Sequence, residues 1–496
     1  TTNHPLFAVD LAAGHIATPW VEARDFRHLS QITVSALHSN ALETVFDLST
    51  IEFHGGWTNS TLTNVTQGKS IAISGIATIP LTNLHPINAT AEVKLGRTLV
   101  RWNGAALTNG MATVNQGTFK IGYDSSQAAN HHDASSLWSF LHPFTLSGEF
   151  DLRQIREPRF HLENTAHVIG EWQWPHLKVK QLTARLDTGD IRADGSLNVA
   201  TGSLSTTLES REFDFRKISS LLPERAAAFL ADWTWTKPPR IDASVQLRLP
   251  TSESPHTVLD SLAVDAHLIL NNSSYRGIET TFASAELSYS NRVWRLPKFE
   301  WISPDGHLNG SIVADNTTRQ FESRIEGALD PVAFRPLLPS EQQKWIDQAT
   351  FEAPPELSLN IAGYWDDIEA LSVFGYISTE AFNVRGVDFS GISMRVNYTN
   401  AIARFENVDL RHYERKAEAD RITLTRDRIY FHNVTSTLDP MLIAEVIGDE
   451  VVEVLSPYQF ASPPHILLNG SLGLKTIEDA DMHFQIAGDK FQWGLF

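Results

Sequence analysis

Arg276-Gly277-Ile278-Glu279-Thr280-Thr281-Phe282-Ala283-Ser284-Ala285-Glu286-Leu287-Ser288-Tyr289-Ser290-Asn291 has a second copy 109 positions downstream. The copy runs without a gap from Arg385-Gly386-Val387-Asp388 through Ile392-Ser393-Met394-Arg395-Val396-Asn397-Tyr398 to Thr399-Asn400. In each copy apolar and polar residues alternate: Ala283, Ala285, Leu287 and Tyr289 in the first, Ile392, Met394, Val396 and Tyr398 in the second. A period of two is the signature of a strand with one greasy and one wet face. Ile32-Thr33-Val34-Ser35-Ala36 keeps the same phase.

Other landmarks travel with the repeat. Leu329-Asp330-Pro331 returns as Leu438-Asp439-Pro440, and Pro354-Pro355 returns as Pro463-Pro464. Pro238-Pro239 and Leu221-Leu222-Pro223 mark a further copy upstream, and Ile32 to Asn40, closed by a strand after Pro143, a fainter first one. Four units are read on this basis: 1–145, 146–255, 256–365 and 366–496. Copied units lean on their neighbours and share one long surface, which directs attention away from a single catalytic pocket.

Turn residues such as Asn271-Asn272, Ser303-Pro304-Asp305-Gly306 and Asp187-Thr188-Gly189-Asp190 are expected to separate the strands. One helical stretch interrupts each later unit: Ile218 to Trp233, Pro331 to Gln348 and Pro440 to Leu455. Asp330 and Asp439 stand at the N-cap, each with Pro next, where a missing N–H costs nothing. These helices cover a sheet end or edge, or gate a groove. The fold class is mainly β, an antiparallel repeat sheet with short helices between repeats.

Composition narrows function. The chain has 496 residues, 42% hydrophobic, no cysteine and a formal charge of −18. That is enough apolar material for a core, and disulfide or thiolate metal sites are excluded. The acidic balance opposes binding to nucleic acid or a polybasic grip on anionic lipid. No apolar run reaches the ~18–20 residues of a membrane helix. The chain opens on Thr1-Thr2-Asn3, so a segment of a longer protein is expected, its targeting or anchoring element elsewhere.

Motifs for chemistry are sparse. His131-His132-Asp133 is the best metal-like cluster, yet sequence neighbours diverge and a polar loop explains it. Asp and Glu occupy turns (Asp305, Asp427) or polar strand positions (Glu286), not a pair separated for glycoside hydrolysis. Trp172-Gln173-Trp174 and Trp233-Thr234-Trp235 suit core-facing strands better than sugar platforms. No nucleophile elbow, phosphate loop or dinucleotide fingerprint occurs. No catalytic residue, cofactor or metal is assigned.

The order of motifs resembles the AsmA-like/TamB superfamily of bacterial envelope proteins. Strands carrying Asp194-Gly195-Ser196-Leu197 and Asn309-Gly310-Ser311-Ile312 lead into Leu-Asp-Pro and a Leu-Leu-Pro helix. Asn383-Val384-Arg385-Gly386-Val387-Asp388-Phe389-Ser390-Gly391-Ile392 follows as the cleanest copy. The resemblance covers residues 150–475 well and the first 150 loosely; the family's hydrophobic N-terminal anchor has no counterpart. It implies an elongated sheet curled into a half-open, taco-like hydrophobic groove that conducts phospholipid between inner and outer membranes. The expected setting is the periplasm of a diderm bacterium, with an inner-membrane anchor and membrane proteins at both ends. Groove-lining candidates are Ala283, Ala285, Leu287, Tyr289, Ile392, Met394, Val396, Tyr398, Ile32 and Val34. About 28 strands at ~4.8 Å would run to ~130 Å. The rival classes are a structural or adhesive β-solenoid with closed apolar faces, and a carbohydrate-active enzyme.

Overall fold

The repeated stretch folds as it does because of its turns. Arg276 and Gly277 sit at φ 48° and 89°, Arg385 and Gly386 at 51° and 88°. Positive φ at both central residues makes the two-residue turn whose twist matches paired strands. Around Gly386 a Cβ would meet nothing within 4 Å, so conformation and not crowding calls for glycine. The next hairpin repeats too: Asn291-Arg292 lie at φ 50° and 64°, Asn400-Ala401 at 54° and 59°.

The structure is a computed structural model. It describes residues 6–18, 21–38, 40–58, 62–104, 110–128, 141–157, 160–162, 165–186, 189–216, 219, 224–249, 258–338, 340–365, 367–473 and 480–493. Among these, 28 strands belong to one hydrogen-bonded sheet, with every registered pairing antiparallel. Contacts divide the chain into two units: Thr1–Ala231 with Pro238–Ala266, and Asp232–Lys237 with His267–Phe496.

In the first unit the strands form a meander. Phe7–Ala17, Val21–Val34, Ala41–Thr58 and Leu62–Pro80 pair in order. Leu62–Pro80 is 19 residues long and pairs along its length with both Asn88–Leu95 and Thr98–Gly104. Gly110–Asp124 pairs with both of those and with Phe144–Glu157. Ala166–Gln173, His176–Leu186, Gly189–Asn198, Ser203–Arg211 and Arg240–Arg248 continue the ladder.

The second unit repeats the plan. Ile278–Ser290, Val293–Ser303, Gly306–Asp315, Gln320–Leu329, Glu356–Tyr364, Asp367–Thr379 and Gly391–Thr399 pair in order. Ile402–His412, Arg415–Leu424, Arg428–Ser436, His465–Gly473 and Asp481–Ala487 complete it. Beside this ladder Ala349–Phe351, Phe382–Val384 and Val387–Phe389 make a small separate sheet.

Four expectations are corrected. Ile218 to Trp233 is helical only over Glu224–Ala231 among the described residues, and Trp233–Trp235 is a strand paired with Ser273 to Tyr275. Asn271-Asn272 do not end a strand; they lie inside Ala263–Tyr275, where Asn272 takes φ 47° and bends it without breaking it. Asparagine tolerates that left-handed backbone, so it served as a kink and not a turn. Pro331 to Gln348 is not one helix: a 3-10 helix, Pro331–Leu337, is followed by Ser340–Ile346. Pro336 withholds an N–H inside the stretch and favours the tighter winding. Pro440 to Leu455 divides likewise into Pro440–Ile447 and Asp449–Leu455 at Gly448, whose φ is 148°. The caps are where the sequence put them: Asp330 accepts from Val332 N at 2.9 Å and Asp439 from Met441 N at 3.0 Å.

Deep burial is scarce. The chain exposes 30405 Å². Two separate compact bodies of half its 55.3 kDa would together expose only roughly 22,000 Å².

Candidate functional site

Cross-strand partners project to the same side of a sheet, so the register gives each face. In the second unit Ala283 and Ala285 face Trp301 and Phe299, which in turn face Leu308 and Gly310. Ile325 and Gly327, then Leu359 and Leu357, then Gly375 and Ile377, carry the face onward. It reaches Val396 and Met394 beside Gly375 and Ile377, with Tyr398 opposite Val373 and Ile392 opposite Thr379. Beyond them Phe405, Ile422, Phe431 and Gly470 follow strand by strand. All eight candidates from the two repeated strands therefore share one face, although more than 100 residues separate the two sets.

That phase survives two bulges. The register shifts opposite Glu286/Ser288 and opposite Ser393/Arg395, near-equivalent places in the two copies but 107 residues apart and so two residues out of step with the repeat. In both cases the extra residue lies on the partner strand, so the repeated strand keeps its alternation. The other face is polar: Glu286 stands opposite Lys298, Ser311 opposite Arg324, Arg395 opposite Glu406. Phe374 and Tyr376 depart from this rule, lying on the polar face at 50% and 47% exposure, and Val313 and Tyr430 do so too.

The first unit has the same construction. Ile32 faces Phe7 and Thr44, and Val34 faces Leu42, placing both candidates on its apolar side. Thr44 leads to Ala77, Ala89 and Tyr123, while Leu48 leads to Ile73, Val93, Phe119 and Gly148. Trp172, Leu177, Leu197, Leu204 and Leu247 extend it. Trp172 is 3% exposed, with Nε1 donating to Leu141 O at 2.9 Å, a packed position and not an open ring platform.

Most of these side chains are only half-covered. Ala283, Ala285, Leu287, Ile392, Met394 and Tyr398 are half-buried; Tyr289 and Val396 are buried at 3% and 9% exposure. Tyr289 owes this to Trp294, whose ring centroid is 4.5 Å away. Ile32 is half-buried and Val34 is 51% exposed.

In the second unit the helical segments cover one end of the face. Ala333 packs with Leu308 and Leu329, and Phe334 stacks on Trp301 at 6.2 Å. One repeat later Leu442, Ile443 and Val446 pack on Phe382, Val387 and Phe389, with Ile392 and Leu410 at their margin. Arg385 ties the turn to this helix through Ile447 O at 2.8 Å, and to Gln348 at 3.1 Å.

No group of three or more His, Asp or Glu is placed to hold a metal ion among the described residues. His131-His132-Asp133 lies outside them. Among them no helix is long and apolar enough to cross a membrane. No family model matches this chain, and neither the curated proteins nor the solved structures yield a match.

Proposed function

We propose that this chain is a non-enzymatic lipid-conducting element of a bacterial cell envelope, its apolar faces forming a half-open groove for phospholipid acyl chains. The observation that carries the reading is the largely apolar face that runs strand after strand in each unit, with many of its side chains only half-buried. Strands of 9 to 13 residues, such as Gly391–Thr399 and Ile278–Ser290, give a wall roughly 30–43 Å across, ample for an extended acyl chain. Each methylene laid on such a wall gains roughly 0.8 kcal/mol, while the headgroup remains in water at the open side.

Neighbouring wall positions are chemically alike, so a lipid can slide between them with little change in energy. Direction must then come from the two ends, and the transport proposed here runs between inner and outer membranes of a diderm cell. The resemblance of the repeated motifs to AsmA-like/TamB proteins supports that setting. Transfer of a fluorescent phospholipid between donor and acceptor vesicles, with and without the purified chain, tests the reading. Acceleration is expected; an unchanged rate with protein that stays lipid-free points to a closed structural solenoid instead.

A further inference from the structure

In a chain of formal charge −18, one concavity gathers four cationic side chains. It lies in the first unit, has a volume of about 710 Å³, and is lined by Arg24, Lys69, Arg97 and Arg156 with Glu22 and Glu52. Both carboxylates are engaged: Glu22 Oε1 lies 2.9 Å from His15 Nε2, and Glu52 Oε2 lies 3.8 Å from Arg24 Nη1. Lys69, Arg97 and Arg156 form no ion pair among the described residues, and all three are exposed.

Irregular backbone assembles this group. Asn88–Leu95 and Thr98–Gly104 would be one strand but for Gly96-Arg97. There Gly96 N donates to Ser70 O at 2.8 Å and Lys69 N to Arg97 O at 2.9 Å, holding Lys69 and Arg97 side by side. A Cβ on Gly96 would collide with Lys69 O and Ser70 Oγ, so only glycine permits this approach. Ser70 and Gln154 take φ 57° and 53°, and Gln154 belongs to a bulge two residues before Arg156. Bulges of this sort re-aim side chains out of the regular pleat.

We propose that this concavity is a binding site for a phosphate-bearing anion. Arginine and lysine donors converging in a concave wall focus positive potential, and guanidinium forks match phosphate oxygens. The volume falls in the range of small-molecule sites and exceeds what a lone phosphate fills, so a phosphorylated headgroup or phosphomonoester is the class of ligand. The concavity continues the strand phase of Leu48 and Ile73 through Glu52 and Lys69, but its test reads anion binding and not lipid passage, so it stands or falls separately from the conduit.

The test is calorimetric titration of the 496-residue chain at low salt with inorganic phosphate, and separately with short-chain phosphatidylglycerol below its micelle concentration. The proposal expects Arg97→Gln/Arg156→Gln to weaken binding at least ten-fold and Lys69→Gln several-fold, with unchanged circular dichroism. Arg324→Gln, on the polar face of the second unit, should bind as wild type does. If both ligands show the loss, a phosphate group alone suffices; if only the lipid does, the source is a headgroup. Should the double variant misfold, Lys69→Gln alone decides. Absence of binding by the wild type, equal binding by the Lys69 and double variants, or equal weakening by Arg324→Gln overturns the proposal.

Discussion

Asp placed at neighbouring positions of the apolar face separates an open wall from a closed core. Met394 and Val396 share that face, but Met394 is half-buried while Val396 is 9% exposed. At Met394 about half of the ~1.5–3 kcal/mol gained by burying the side chain is lost, and the new carboxylate still reaches water. Adding ~1 kcal/mol for its partial desolvation gives a cost of about 2 kcal/mol. At ~2–4 °C per kcal/mol for a body of this size, Met394→Asp should lower Tm by roughly 4–8 °C. Val396→Asp loses nearly all its burial and strands the charge beside Phe405 and Gly375, costing ~4 kcal/mol or more. Ser393→Asp, on the polar face, should stay within ~0.5 kcal/mol. Circular-dichroism melting and vesicle lipid transfer are measured on all three. Met394→Asp should keep its fold and lose transfer. If it unfolds the chain as readily as Val396→Asp, the face is closed and the conduit fails.

Other outcomes are equally specific. Asp439→Ala removes the acceptor for Met441 N and should cost ~1 kcal/mol by melting, because that N–H then lacks its cap. Gly386→Ala adds a methyl into open space at φ 88°, so a loss of ~1–2 kcal/mol would be backbone strain alone. Hydrogen bonds from His167 and then Gln116 hold the Asp151 carboxyl below its ordinary value. A depressed carboxylate contributes stability above its unfolded pKa and loses it as pH falls through the folded one. The Tm gap between wild type and Asp151→Asn should therefore be present at pH 7 and shrink towards pH 3; a gap independent of pH would refute the link.

The strand phases were legible because they depend on neighbours in sequence, and the turns only in part: Ser303 to Gly306 separates two strands, whereas Asn271-Asn272 lies inside one. Arg276-Gly277 and Arg385-Gly386 take matching backbone angles, and the alternation from Ala283 to Tyr289 and from Ile392 to Tyr398 does put each set on one face. Helix continuity was not legible, since Pro336 and Gly448 act on the winding inside stretches whose apolar spacing looked uniform. The two residues Phe374 and Tyr376 escaped for a different reason: large rings at alternate positions give the same pattern on either face. The cationic concavity was invisible for a topological reason. Arg24, Lys69, Arg97 and Arg156 are scattered through the first third of the chain, and only long strands with a break at Gly96-Arg97 gather them. Sequence alternation also leaves open whether an apolar face is covered, because exposure depends on what packs over it.

Mass spectrometry of an organic extract from the purified chain tests the central claim most directly. The account predicts several phospholipid molecules per chain, with little headgroup selectivity, because both units present long apolar faces of uniform chemistry. A lipid-free extract, or one lipid of a single headgroup class bound one to one, would contradict it.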